Sequence, residues 1–541
     1  MKEGTSVAAR RLRREGASVR ELSVALVLAA LVLLGFGLRL SGIERIGFAE
    51  DEINKLEAVR AYEQGDIRPN AEHPMLMKAL MYVSVQAQQA INRATGSRIS
   101  DEAALRFPNV VFGALTVIPL FLLTAAFFER RTALVAAALW AFGINAITYN
   151  RIAKEDTLLV FFMLFAFYFY LRAKQTSGHD PAAKRKFYSL SGVSFGLMMA
   201  SKYFPHYFGL NMLYHYLYHV REREPGEPQG HTPLLFYVLA GVAFLIANPA
   251  ILLPQIWEYL NAFTSGQLLT HSGYLVGDTL YLNTLAATPF RGTPLYFYAL
   301  FLLVKLPLPL LAALIVGLIE CIRQWRQPGH GFLLLMFVLW IVPYSLMGGK
   351  WLRYTLSLMP FVYMIAAVGI LALVRWCVSF FREAAATRAR QAAWALALVV
   401  FIFLPAWTAY AHRPHYAAYT NILGRNRVGY YFPHDEFYDD GLREALNFVC
   451  DHAPRGSLVL HETPGVTRYY LGKCNRPDLQ SRVLSDRTLI LADLPPSTYV
   501  IVQRGRTYFE NQEKLAEVRA RFQKVFEVPV EGANAVEVYV H

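Results

Sequence analysis

The chain has 541 residues, of which 55% are hydrophobic and only 17% charged, too apolar a composition for a string of soluble domains. A net charge of +13 would suggest nucleic-acid binding on a soluble protein. In a chain built of long apolar runs it marks cytoplasmic loops instead, and nucleic acid is set aside as a partner. Four cysteines without a CxxC pair do not make a disulfide scaffold.

Residues 1–21 read as a cytoplasmic basic tail carrying Arg10, Arg11, Arg13, Arg14 and Arg20. The apolar run from Leu22 to Ile43 is longer than a signal-peptide core, and no A-x-A-like cleavage site follows it. It is expected to be a retained first span with the N-terminus inside. Residues 44–106 form a long polar stretch, read as a first outer loop. Within it, 75–91 are amphipathic and suit a helix lying at the membrane interface.

Further spans are expected near 107–127, 132–149, 157–172, 188–201, 203–220, 232–253, 295–322, 331–347, 354–375 and 392–411, since roughly 20 residues of helix cross a bilayer. The span at 203–220 is the weakest, because His206, Asn211, His215 and His219 interrupt it. With the N-terminus inside, the short inside loops hold about 21 Lys and Arg and the short outside loops about 6, which agrees with the positive-inside rule. The expected fold is a polytopic α-helical membrane protein of about eleven spans (residues 22–411), with its C-terminus outside.

Residues 412–541 change character. Residues 440–451 and 509–524 have helical spacing, whereas SLVLHE, TYVIVQ, FEVPV and AVEVYV read as strands. This stretch is expected to be a small extracytoplasmic α/β domain. There Cys450 and Cys474 could pair in an oxidising compartment, while Cys321 and Cys377 at cytoplasmic span ends stay reduced.

The acidic cluster Glu50-Asp51-Glu52 lies just past the first span. The short loop after the third span carries Asn150, Arg151, Lys154, Glu155 and Asp156. Two carboxylate pairs at one membrane face can supply or hold a general base, because burial and neighbours tune their pKa values. The cations His73, Lys78, Arg151, Lys202, Lys350 and Arg353 fall on the same face and suit an anionic ligand such as a phosphate. The outer loop 254–294, with His271, Asp278 and Arg291, is long enough to be functional. Glu72-His73 and His434-Asp435-Glu436 lack the spacing of a recognised metal site. A divalent cation is left open, and no nucleotide-binding motif occurs.

These residues resemble a known family. The Asp-Glu pair after the first span, HPMLMKAL, RFPNVVFGALTVIPLF, NRIAKEDTLLVFF, GLMMASKYF, YFYALFLLVKLPLPLL and KWLRYTLSLMPFVYMIAA are similar, in order, to segments of protein O-mannosyltransferases and bacterial aminoarabinose transferases, over about residues 22–375. The resemblance implies a C-type membrane glycosyltransferase of a bacterial or archaeal plasma membrane. It would move a sugar (mannose, aminoarabinose or similar) from a polyprenyl-phosphate carrier, with inversion, to a protein, lipid or glycan acceptor. It further implies Asp51 as catalytic base with Glu52 beside it. Asp156, next to Glu155, would orient the acceptor or support the site, and His73, Lys202 and Arg353 would contact the carrier phosphate. Two departures stand out: HPM replaces HPP, and the tail does not look like the β-trefoil-type insert of eukaryotic relatives. The alternative function is a polyprenyl-lipid transporter, or flippase, without transfer chemistry; it shares the charged face but predicts inverted repeats, which the chain does not show.

Overall fold

The computed structural model describes residues 3–222, 231–264, 272–285, 287–380 and 383–541. The helices run in chain order as α1 (Glu3–Leu40), α2 (Glu50–Glu63), α3 (Met75–Thr95), α4 (Asp101–Leu115), α5 (Val117–Phe127), α6 (Arg130–Phe142), α7 (Ile144–Tyr149) and α8 (Asp156–Gln175). They continue as α9 (Pro181–Ser201), α10 (His206–Leu217), α11 (Leu234–Ala247), α12 (Pro254–Thr264), α13 (Phe297–Lys305), α14 (Leu308–Arg323), α15 (Pro328–Leu346), α16 (Met359–Ser379), α17 (Glu383–Leu398) and α18 (Leu404–Ala411).

Six stretches among the described residues are long and apolar enough to cross a membrane: Glu21–Leu40, Asp101–Phe127, Asp156–Gln175, Pro328–Leu346, Met359–Ser379 and Thr387–Ala411. The chain is an integral membrane protein. Several other expected spans are broken or short. The 132–149 run divides at Gly143, whose backbone is extended and where a Cβ would sit 2.1 Å from the Tyr363 hydroxyl. The 295–322 run divides at Pro307, which has no N–H to continue a helical ladder. The 203–220 run yields the 12-residue α10, and 232–253 yields the 14-residue α11 followed by a 3-10 turn.

Helices meet through glycines, as expected where apolar solvent gives no hydrophobic drive and close approach must supply the attraction. At the α14–α16 crossing, a Cβ on Gly317 would lie 2.0 Å from Ile365 O, and one on Gly369 would lie 2.0 Å from Ala313 O. Gly192 and Gly196 of α9 abut the backbone of α11 in the same way. Arg39, fully buried in α1, donates to the carbonyls of Gly35, Trp140 and Ala141 and to Asn150 Oδ1, each at 3.0 Å. Those bonds satisfy a cation inside the bundle and pin α1 to α6.

A β-hairpin of β1 (Tyr274–Val276) and β2 (Thr279–Tyr281) lies in the loop before α13. After α18 come α19 (Pro433–Phe437), α20 (Leu442–His452), α21 (Pro464–Lys473) and α22 (Gln512–Arg521). They accompany β3 (Leu458–His461), β4 (Gln480–Val483), β5 (Tyr499–Gln503), β6 (Gln523–Val530) and β7 (Ala533–Val540). The sheet order is β4-β3-β5-β7-β6, with β3 parallel to β4 and β5, and β7 antiparallel to β5 and β6. Pro529, which has no donor for a ladder, lies in edge strand β6 beside a register shift. A disulfide joins Cys450 of α20 to Cys474 just after α21.

One apolar core runs without a break from the first loop into this sheet. Phe48, Ile53, Leu56, Met77, Met81 and Leu105 pack in the same cluster as Leu442, Leu446, Val449, Val459, Val466 and Val538. The tail is therefore seated on the loop between α1 and α4.

Candidate active site

Glu50, Asp51 and Glu52 occupy the first turn of α2, where the helix dipole favours negative charge. Three donors from three distant parts of the chain converge on Asp51 Oδ2. Lys154 Nζ lies at 3.0 Å, Arg353 Nη1 at 3.1 Å, and the Tyr438 hydroxyl donates at 2.6 Å. The carboxylate keeps a route to solvent, its side chain being 30% exposed. Burial pushes the Asp51 carboxyl up, but Lys154, Arg353 and the Tyr438 hydrogen bond outweigh it and hold it well below the usual carboxylate range. Arg353 is correspondingly raised, because Asp51 outweighs its burial.

The segment between α7 and α8 and the end of α9 build the adjoining group. Lys202, at the C-terminus of α9, donates to Asp156 Oδ1 at 2.5 Å. Its ammonium also sits 4.6 Å from the Phe204 ring centre and 5.0 Å from that of Tyr354. Arg353 lies 5.6 Å from the same Tyr354 ring, so one aromatic side chain separates the two cations. Glu155 is fully buried, with Lys55 Nζ 2.6 Å and His73 Nδ1 3.6 Å away. Burial raises the Glu155 carboxyl, and His73, Lys55 and Lys154 more than reverse this. His73 is held far below its usual value by burial among Lys55, Lys154 and Lys202, against the pull of Glu155.

The tail closes the group from the other side. Arg506 grips Asp439 with two nitrogens and Glu50 with a third at 2.7 Å, and the Glu50 N–H donates to Asp439 at 3.0 Å. Asp435 accepts from the Tyr274 hydroxyl and is pushed up to about 6 by burial, against that hydrogen bond and Arg353. Glu436 pairs with Lys305 at 3.1 Å and caps the backbone N–H groups of Gly429 and Phe432. Among the described residues, no group of three His, Cys, Asp or Glu side chains is arranged to hold a metal. Two cavities, of about 440 and 370 Å³, lie elsewhere: they flank Tyr469 and Lys473 where α21 meets α2 and the α3–α4 turn, and neither is lined by Asp51, Lys154, Lys202 or Arg353.

Residues 94–252 match the family model described as dolichyl-phosphate-mannose-protein mannosyltransferase. The apo oligosaccharyltransferase of Archaeoglobus fulgidus aligns over 95% of this chain and 74% of that one, with a TM-score of 0.53 at 12% identity. ArnT from Cupriavidus metallidurans, bound to undecaprenyl phosphate, aligns over 95% and 97%, with a TM-score of 0.49 at 13% identity. The S. cerevisiae protein O-mannosyltransferase complex aligns over 47% and 39%, with a TM-score of 0.33 at 18% identity. No curated protein matches the sequence significantly. The chain shares its fold with that archaeal oligosaccharyltransferase, and over 94–252 it is similar to the mannosyltransferase family.

Asp51, Glu155, Asp156, His73, Lys202 and Arg353 come together in the folded chain. Other residues expected at the site are held in the framework. Glu52 takes a two-pronged grip from Arg106, at 2.7 and 2.5 Å, and accepts from the N–H groups of Ala49 and Ala153. Lys78 donates to the carbonyls of Pro69 and Asn70 and so ties down the loop before α3. Arg151 caps the end of α1 through the carbonyls of Arg39, Ser41 and Gly42. Lys350 is buried on the carbonyls of Thr293 and Met347. These three cations were expected at a phosphate, yet they already donate hydrogen bonds to backbone oxygens.

Asp278 lies exposed at the hairpin turn, bonded to Tyr430, and Arg291 is exposed. His271 lies outside the described residues. The sequence reading missed Lys55, Tyr438 and Arg506. Tyr438 and Arg506 follow the last span by dozens of residues, and nothing local marks them. Lys55 follows the acidic cluster by one helical turn, which was a usable signal.

Proposed function

We propose that this protein is a glycosyltransferase that moves a sugar from a polyprenyl-phosphate carrier to an acceptor hydroxyl or phosphate on the outer membrane face, with inversion. In this reading the broken and short helices complete about eleven crossings. The N-terminus is then cytoplasmic and the tail, 412–541, extracytoplasmic. The observation that carries the proposal is the pairing of an accessible carboxylate, Asp51, with cations (Lys154, Arg353 and, across Tyr354, Lys202) that are not tied to backbone oxygens. The family matched over 94–252 is itself described by a lipid-phosphate sugar donor.

The chemistry follows from these positions. The acceptor oxygen attacks the anomeric carbon while the bond from that carbon to the phosphate oxygen breaks on the opposite face. Asp51 takes the acceptor proton. The lipid phosphate leaves with the bonding electrons, and Lys202 and Arg353 neutralise the charge that develops on it. Asp156 holds Lys202 in place, and Glu155 does the same for Lys55 and His73. A carboxylate as acidic as Asp51 is a weak base, so the proton moves late, once the new bond has made the acceptor oxygen acidic. The acceptor is a protein, lipid or glycan.

The test is detergent-purified protein supplied with polyprenyl-phosphate mannose or polyprenyl-phosphate aminoarabinose, with release of free polyprenyl phosphate measured. Asp51→Asn is expected to lower kcat by about 10² or more, the usual worth of a positioned base. Turnover by Asp51→Asn at the wild-type rate would remove Asp51 from the mechanism.

A further inference from the structure

Asp51 belongs to the loop after the first span, yet one of the three donors on it comes from the opposite end of the chain. We propose that Tyr438, supplied by the tail, is a positioning residue for Asp51, fixing which of its two oxygens is free to meet an acceptor. Its catalytic consequence rests on the transferase reading above; the contact itself does not.

The geometry is one-sided. The Tyr438 hydrogen bond at 2.6 Å and the closest approaches of Lys154 and Arg353 all fall on Oδ2. Three donors on one oxygen fix the plane of the carboxylate, and the side chain as a whole remains 30% exposed. Lys154 and Arg353 are cations that a lipid phosphate would draw toward itself. Tyr438 is neutral and would stay on Asp51 when they do. It is therefore the donor suited to hold the carboxylate through the reaction.

The backbone around Tyr438 is built for this single contact. Tyr438 and Asp439 both adopt left-handed conformations, with φ of 46° and 66°, which L side chains rarely take. Two such residues in succession persist only where surrounding contacts over-determine them. Here the contacts are visible. Asp439 is buried and gripped by Arg506 and Gln503, and it accepts the N–H of Glu50, the residue before Asp51. Arg506 reaches past it to the Glu50 carboxylate. The tail thus holds the backbone of α2 through Asp439 and the carboxylate of Asp51 through Tyr438, at adjacent positions on both segments.

The proposal is tested on the full-length protein in detergent with two measurements. The first is the pH profile of kcat for Tyr438→Phe on polyprenyl-phosphate mannose and polyprenyl-phosphate aminoarabinose, with water allowed as the acceptor so that the natural acceptor is not needed. Removing one donor raises the Asp51 pKa. The acidic limb of the profile is expected to move to higher pH, and kcat at neutral pH to fall about tenfold with KM for the donor unchanged. A purely structural loss would lower activity at all pH values without moving the limb. The second measurement is Tm for wild type, Tyr438→Phe, Asp51→Asn and the double variant. Residues in direct contact give losses that do not add.

An unmoved limb with additive Tm losses overturns the proposal. A moved limb with non-additive losses supports it. If the wild type turns over neither donor but the losses are non-additive, the contact stands and the transferase reading falls.

Discussion

At the residue scale, Asp435 gives the clearest pH dependence. Its folded pKa of about 6 lies above the ordinary aspartate value of 3.8, because burial disfavours the carboxylate more than Tyr274 and Arg353 favour it. A raised acid binds its extra proton in the folded state. Its contribution is therefore complete at low pH and is lost as pH rises through about 4 to 6, about 3 kcal/mol in all. Asp435→Asn stays neutral and can still accept from Tyr274. It is expected to gain about 2 kcal/mol on the wild type between pH 4.5 and 7.5, read as a Tm difference that widens with pH. A pH-independent difference would remove Asp435 as the origin. Buried Glu52 is a contrasting acid. Arg106 and two backbone N–H groups surround it, so it orders the start of α2 and leaves the chemistry to Asp51.

At the element scale, two glycines in helices carry opposite expectations. Gly369 of α16 touches Ala313 O and Gly317 N of α14 so closely that no side chain fits without moving a helix. Gly369→Leu is expected to cost at least about 1–3 kcal/mol and to lower Tm in detergent by several degrees. Gly209 of α10 is exposed, with nothing within 4 Å of an added Cβ. Gly209→Ala is expected to leave Tm unchanged or raise it slightly, since alanine is the better helix former by up to about 1 kcal/mol. Equal Tm changes in the two variants would contradict the close α14–α16 crossing. The broken runs make a related point. Gly143 and Pro307 divide what hydropathy reads as single spans, and the bends carry the following residues toward the α7–α8 segment and the end of α13, where Asn145 Nδ2 donates to the carbonyl of Lys305 at 3.0 Å.

At the scale of the whole molecule, the tail and the first loop behave as one body. They share a core, and polar ties cross the same seam: Tyr470 to Glu102 at 2.8 Å, Tyr469 to Asp101 at 2.7 Å, and Arg443 to the carbonyl of Glu44 at 2.8 Å. Deleting residues 412–541 would expose Phe48 and Ile53 and strip Tyr438 and Arg506 from the acidic turn. The truncated protein is expected to lose donor turnover by at least tenfold and to show a lower Tm than any single variant above. Full turnover by a well-folded truncation would mean that the bundle alone holds Asp51.

Much was determined locally. Long apolar runs require a membrane, because an unpaired backbone group is too costly in hydrocarbon and only helices satisfy their own. The ordered motifs carried the fold, and the two acidic loops pointed to Asp51 and Asp156. The apolar run at 498–503 and the residues at 535–540 likewise read as strands and lie in β5 and β7. What sequence could not sort was which charges are free. Lys78, Arg151 and Lys350 look like Lys202 and Arg353 in the sequence, yet the fold turns the first three onto backbone carbonyls and the last two onto Asp156 and Asp51. That distinction depends on contacts as far apart in the chain as Arg353 and Asp51, as does the arrival of Tyr438 at Asp51. Only the tertiary structure brings those atoms within reach, since a hydrogen bond is decided over a few tenths of an ångström.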